Sequence, residues 1–304
     1  MLRIPSRKVL GESMLFHVSA RLEYAVRFSS TLILNVHVQH NESQSIVTEQ
    51  FGVEPVVPLE HFSVPGSDNR FVRLETGDAK SLTVSYAATV DCDHDILPTR
   101  NLEELPVGEI PPEVIPYLFP SRYCQSDKLA RLAWDLFGKL PTPHDRVTGI
   151  VDWIHNNVEY LSGSTDSGTS AYDTVTQRTG VCRDFAHLGI ALCRALNIPA
   201  RYFTGYSYQL DPPDFHALFE AYLGGRWALF DATRLAPLNG LVRIGSGRDA
   251  ADAAVATIFG GVSTRLSKVE CKLGEGQNFT PLDRGDLTRA AVALETNTDA
   301  TPEA

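Results

Sequence analysis

Apolar and polar residues alternate without a break from Phe16 to Phe28: Phe16, Val18, Ala20, Leu22, Tyr24, Val26 and Phe28 share one side of an extended chain. Period-two alternation is the mark of a strand with one face buried. Leu32, Leu34, Val36 and Val38 repeat it, as do Leu82, Val84, Tyr86, Ala88 and Val90 after the turn signal Gly77-Asp78. Residues 14–100 therefore read as a β-rich, antiparallel, sandwich-like module. Prolines at 98, 106, 111, 112, 116 and 120 follow, and residues 101–124 read as a connection.

Beyond it the period changes. Ser126-Asp127 can open a helix that carries Leu129, Leu132, Ala133, Leu136 and Phe137 on one face. A second helix is expected from Pro143 to Val158. Ser164–Ser170 is polar and reads as a loop. A short helix is expected over Tyr172–Arg178, and a long one over Cys182–Leu196, apolar on most faces and ended by Pro199. Strands are expected over Arg201–Gln209, His216–Leu223 and Arg226–Thr233. The second domain is drawn over 125–280. Residues 281–304, rich in Thr, Asp and Ala, read as a disordered tail, and residues 1–13 as an extension. The fold class is α+β: an antiparallel β module followed by an α/β domain.

Length and charge narrow the function. The chain has 304 residues, 43% hydrophobic and 21% charged, with a net charge of −10. That length suits two domains with substantial cores. The acidic excess is spread over both halves, so a phosphate backbone is repelled and nucleic acid is not an expected partner. No apolar stretch is long enough for a membrane span, and the N-terminus lacks the apolar run of a signal peptide. Five cysteines, an odd number with no CxxC pair, argue against a disulfide framework and for a reducing, cytoplasmic setting.

The chemistry concentrates in three places. Cys182 opens the long helix after Gly180-Val181, where the N-terminal dipole and orphan N–H groups favour negative charge. His216 and Asp231 lie on consecutive strands joined by Gly224-Gly225, a two-residue hairpin signal. If those glycines form the loop, Leu223 faces Arg226 and Leu218 faces Asp231. His216 and Asp231 then sit diagonally on one face; a shifted register would place them opposite each other. A thiol at a helix start, an imidazole base and a carboxylate to orient it are what nucleophilic catalysis at a carbonyl requires. Alone, each residue has an ordinary structural explanation, and Cys193 reads as a small buried hydrophobe.

The segment Gly180-Val181-Cys182-Arg183-Asp184-Phe185-Ala186 resembles the nucleophile segment of bacterial transglutaminase-like proteins. So do Ala191 to Tyr202, Gly205-Tyr206, His216-Ala217, Glu220, Trp227 and Asp231-Ala232-Thr233, in that order. The resemblance covers about residues 140–235; the β-rich N-terminal region is similar to an extra domain of many bacterial members. It implies a papain-like core, Cys182 as nucleophile, His216 as base, Asp231 as orienter, and acyl transfer from an amide without metal or cofactor. The position two after the histidine, often Trp in the family, is Leu218 here. Leu218 and Trp227 are the candidates for lining a substrate groove.

The expected activity is cleavage or transfer at a peptide or glutamine amide, with hydrolysis favoured over cross-linking and a peptide or protein as substrate. The alternative is a non-catalytic protein that binds a peptide or partner in the same groove. Asp91-Cys92-Asp93-His94-Asp95 is the one run that could chelate a metal, but alternate acids at a strand end are usually solvated. The chain has no GxSxG, HExxH or phosphate-loop motif.

Overall fold

In the computed structural model residues 13–294 are described. The expected extension, up to residue 12, and the tail beyond residue 294 lie outside them. Seven strands come first: β1 (Met14–Val26), β2 (Thr31–Leu34), β3 (Gln44–Glu54), β4 (Leu59–Phe62), β5 (Phe71–Glu75), β6 (Ser81–Cys92) and β7 (Asp95–Pro98). The middle holds α1 (Ser126–Phe137), α2 (Pro143–Asn157), β8 (Glu159–Tyr160), α3 (Ala171–Gln177), β9 (Thr179–Gly180) and α4 (Cys182–Ala195). Then follow β10 (Ala200–Ser207), β11 (His216–Leu223), β12 (Arg226–Phe230), β13 (Leu241–Gly247), α5 (Ala250–Ala253), β14 (Ala256–Phe259), β15 (Val262–Leu273), α6 (Arg284–Leu287) and β16 (Ala290–Ala293).

The β module is two four-stranded sheets, ordered β15-β1-β6-β3 and β14-β2-β5-β4. The alternating residues of β1, β2 and β6 form its core: Phe16, Leu22, Leu32, Leu34, Val84 and Val90 are buried together with Val72 and Leu74 of β5. This confirms the sandwich-like reading. Burial of apolar side chains at about 25 cal/mol per Å² is its main stabilisation.

The second unit is a six-stranded antiparallel sheet ordered β13-β10-β11-β12-β16-β7. Helix α4 lies against β10 and β11, with α1, α2 and α3 around it. It is buried along nearly its whole length, from Asp184 to Arg194, which is why its sequence is apolar on most faces. The connection over 101–124 contains no strand or α-helix. It buries Leu102, Ile110 and Val114 and runs back across the end of the β11–β12 hairpin. That hairpin turns at Gly224 and Gly225, with φ of 58° and 79°, a left-handed pair that L side chains rarely adopt. Leu223 faces Arg226 and Phe219 faces Phe230, which is the first of the two registers the glycine pair allowed.

Three boundaries differ from expectation. Strands β14 and β15, expected in the second domain, return to the β module; β15 pairs with β1 from Leu273↔Phe16 to Val262↔Val26. Its residues from Ser263 to Lys268 are exposed, so it lacks the alternation that marked β1. Lys and Arg along it suit a sheet edge. Residues 284–293, expected to be disordered, form α6 and β16, and Val292 and Leu294 are fully buried. Strand β7, expected with the β module, pairs with β16 in the six-stranded sheet. All three depend on partners far along the chain, which local pattern does not register. Among the described residues no helix is long and apolar enough to cross a membrane.

Candidate active site

Helix α4 begins at Cys182 because the chain makes a tight turn into it. The buried Asp184 carboxylate accepts the Val181 N–H at 3.0 Å and the Thr165 hydroxyl at 2.7 Å. An acidic side chain three residues inside a helix satisfies an orphan donor this way. A Cβ on Gly180 would meet the Asp184 Cβ at 2.8 Å, so the close approach requires glycine. Arg183, the residue after the thiol, pairs with Asp184 at 3.0 Å and donates to the Asp166 carbonyl. Cys182 remains partly exposed at the start of the helix.

His216, the first residue of β11, is almost fully buried. Its Nε2 lies 2.8 Å from Asp231 Oδ2, and Cys182 is near enough to act on the ring's protonation. The other oxygen of Asp231 accepts the Thr233 N–H at 2.8 Å and the Thr233 hydroxyl at 2.7 Å. Thr233 thus fixes the carboxylate that faces the imidazole. Burial alone would lower the His216 pKa; the Asp231 carboxylate, and then Cys182, reverse this and hold it at about 10. Burial would raise Asp231, but the His216 charge and the Thr233 donors keep it low. His216 and Asp231 therefore favour an imidazolium held by a carboxylate.

Glu220 anchors the strand that carries His216. It is fully buried, two strand repeats along the same face, and takes Arg201 Nε at 2.6 Å and Arg243 Nη1 and Nη2 at 2.8 and 2.5 Å. Burial pushes its carboxyl up, and the two guanidinium groups then bring it down to about 2. Arg201 is on β10 and Arg243 on β13, so one carboxylate ties three strands. The site also borders the β module. Asp214, just before β11, accepts the Phe215 N–H at 2.8 Å; burial raises its pKa against the opposing effects of that donor, Ser267 of β15 and the nearby His216.

Cys182, His216 and Asp231 are thus brought together. Leu218 and Trp227, expected to line a groove, are packed instead. Leu218 is 1% exposed in a cluster with Phe203, Leu229 and Leu241. Trp227 is enclosed by Tyr117 and Tyr222 and lies under the Arg201 guanidinium, 4.3 Å from its ring. It shares the face of Asp231 but sits at the other end of the hairpin, under the connection. The acidic run 91–95 disperses: His94 Nε2 meets the Leu241 carbonyl at 3.0 Å, and Asp95 pairs with Arg226 at 2.5 Å. Among the described residues no three ligand-type side chains cluster as a metal would need. His187 accepts the Ala250 N–H of α5 at 3.1 Å and stacks on Tyr123. Sequence reasoning missed the roles of Asp184 and Thr233, although an acid three residues into a helix and an Asp-x-Thr turn are both local signals.

A partly exposed thiol at a helix start and an imidazole held by a buried carboxylate are the reactive side chains of this region. The transglutaminase-like superfamily model matches residues 130–232, and the bacterial transglutaminase N-terminal domain matches residues 14–113. A solved structure from Cytophaga hutchinsonii, described provisionally as a cysteine protease, is 51% identical, with a TM-score of 0.91 over 95% of this chain and 100% of that one. The chain belongs to the transglutaminase-like superfamily. An uncharacterized protein of Mycobacterium leprae is 28% identical over 145 residues, 45% of this chain and 52% of that protein. An uncharacterized protein of Mycobacterium tuberculosis is 43% identical over 60 residues, 20% of this chain and 19% of that one. The chain thus spans about half the length of the first of these relatives and about a fifth of the second.

Proposed function

We propose that this protein is a cysteine hydrolase acting on an amide, in a peptide bond or a glutamine side chain. Cys182 Sγ attacks the carbonyl carbon, and His216 carries the proton to the leaving nitrogen. The thioester on Cys182 is then released to water. The observation that carries this reading is the 2.8 Å contact from His216 Nε2 to Asp231, which leaves the other ring nitrogen to serve the thiol. An imidazole so oriented is the base and acid that both half-reactions need. Hydrolysis is favoured over transfer to an amine because water is always present and nothing in the sequence specifies an amine site. Five unpaired cysteines suit a reducing compartment, and we propose a cytoplasmic setting and a peptide or protein substrate.

The test is alkylation of all five cysteines by iodoacetamide, followed by mass spectrometry, in the wild type and in His216→Ala. Burial raises the thiols of Cys92, Cys124, Cys193 and Cys271, the second and last to about 12. Cys182 is expected to react first, at a rate that falls at neutral pH when His216 is lost. Slow alkylation indifferent to His216 would instead favour the non-catalytic peptide-binding alternative.

A further inference from the structure

A cavity of about 480 Å³ lies beside Asp231, walled by α2, the turn after β12, and the segment that carries α6 and β16. Neither Cys182 nor His216 lines it, so it is not the thiol groove. Its volume is that of a small-molecule pocket. Val151, Leu229, Phe230, Leu238, Leu282 and Leu287 give it apolar walls. His144, at the start of α2, also lines it and is only 5% exposed. The ring meets Phe230 at 6.0 Å between centroids and has no hydrogen-bond partner among the described residues. A buried imidazole left unpaired is costly. Burial lowers its pKa, so the neutral ring offers one N–H and one lone pair.

The cavity also has a charged opening. Arg234 and Arg284 both donate to Asp152 of α2, Arg284 at 2.9 and 3.0 Å. Each uses Nη2 alone, which leaves Nε and Nη1 of both forks without a partner among the described residues. All three side chains are partly exposed. Two cations therefore share one carboxylate, while Asp231, which also borders the cavity, is matched by His216. Arg234 holds a φ of 60°, a left-handed conformation that a bulky residue rarely adopts. Strain kept at one position points to a use for it.

We infer that this cavity binds a small carboxylic acid with an apolar body. The apolar walls bury the body. The acid group joins Asp152 between the two guanidinium forks, takes their free nitrogens, and brings the opening to neutrality. Asp152 already shows that a carboxylate fits those forks, and charge-assisted bonds to arginine are among the stronger ones. His144 is free to give its N–H to the bound acid. A cation would meet repulsion at the opening, and an uncharged alcohol would gain the walls alone. Nothing in this binding uses the thiol.

The test is calorimetric titration of the full chain with octanoate, octanol and acetylated dileucine. Octanoate is expected to bind once per chain, and octanol about tenfold more weakly or worse. Asp152→Asn removes the resident carboxylate. It is expected to tighten octanoate about tenfold and leave octanol unchanged, whereas Arg234→Gln should weaken octanoate about tenfold. Tighter binding of the dileucine than of octanoate would assign the acid to a peptide end; the reverse would assign it to a free fatty acid. Absence of saturable binding by either acid would overturn the inference. So would equal affinity for octanoate and octanol, which would make the cavity an apolar void; both of these need only the wild type. Octanoate binding indifferent to Asp152→Asn and Arg234→Gln would place it elsewhere on the molecule and overturn the inference as well.

Discussion

At the scale of single residues, His216 carries more of the site's electrostatics than any other side chain. Its pKa is raised although burial opposes it, so the effect of its partner is large and can be read directly. Asp231→Asn keeps the shape and removes the charge. The His216 imidazole is expected to titrate near 10 in the wild type and several units lower in the variant, as followed by NMR of the ring. The sign of the stability effect follows. A histidine raised in the folded state contributes stability below its unfolded pKa of about 6.5 and loses it as pH rises toward 10. The gap in thermal midpoint between the wild type and Asp231→Asn is therefore expected to be widest near pH 6 and to narrow toward pH 10. A gap that widened over that range would reverse the assignment of charge. Thr233 and Asp184 act at this scale too: each satisfies a neighbour through a short-range turn, and so each was present in the sequence as a local signal.

At the scale of elements, the β11–β12 hairpin is the part that the sequence specified most fully. Two glycines with positive φ set the turn, and alternation then placed His216, Leu218 and Glu220 on one side with Asp231. What alternation could not say is what covers that side. Leu218 and Trp227 share the face of the triad, yet Leu218 meets Phe203 and Leu241, and Trp227 meets the Pro-rich connection. Groove residues could not be picked from face alone. Glu220 holds the hairpin to β10 and β13 through two buried guanidinium groups. Its carboxyl, depressed to about 2, contributes stability above its unfolded pKa of about 4.3 and loses it as pH falls toward 2. Glu220→Gln leaves two buried cations facing one neutral acceptor. It is expected to cost about 3–5 kcal/mol in urea denaturation at pH 7, and that difference should shrink in acid. A loss below about 1 kcal/mol would mean that the two arginines find other partners.

At the scale of the whole molecule, the two units are interleaved. Strand β15 lies beside β1, and β7 and β16 complete the six-stranded sheet. Tyr206, Val242 and Ile244 of that sheet share a core with the β module. Unfolding is therefore expected to follow one cooperative transition by calorimetry, and a chain ending at residue 255, which lacks β14, β15 and β16, is expected to show none. Two separated transitions in the full chain would show that the units fold independently. The sequence by itself determined the alternating strands of the β module, helices α1 to α4, the hairpin turn with His216 and Asp231 on one face, and the order of thiol, imidazole and carboxylate. These depend on periodicity, turn chemistry and capping, which act within about ten residues. Only the tertiary structure decided where β7, β14, β15 and β16 belong, and which residues enclose the site. Those are contacts between segments far apart in the chain, and they leave no local period to read. Strand β15 is the plainest case: its polar outer face suits a sheet edge, and only its pairing with β1 reveals it as part of the first sheet.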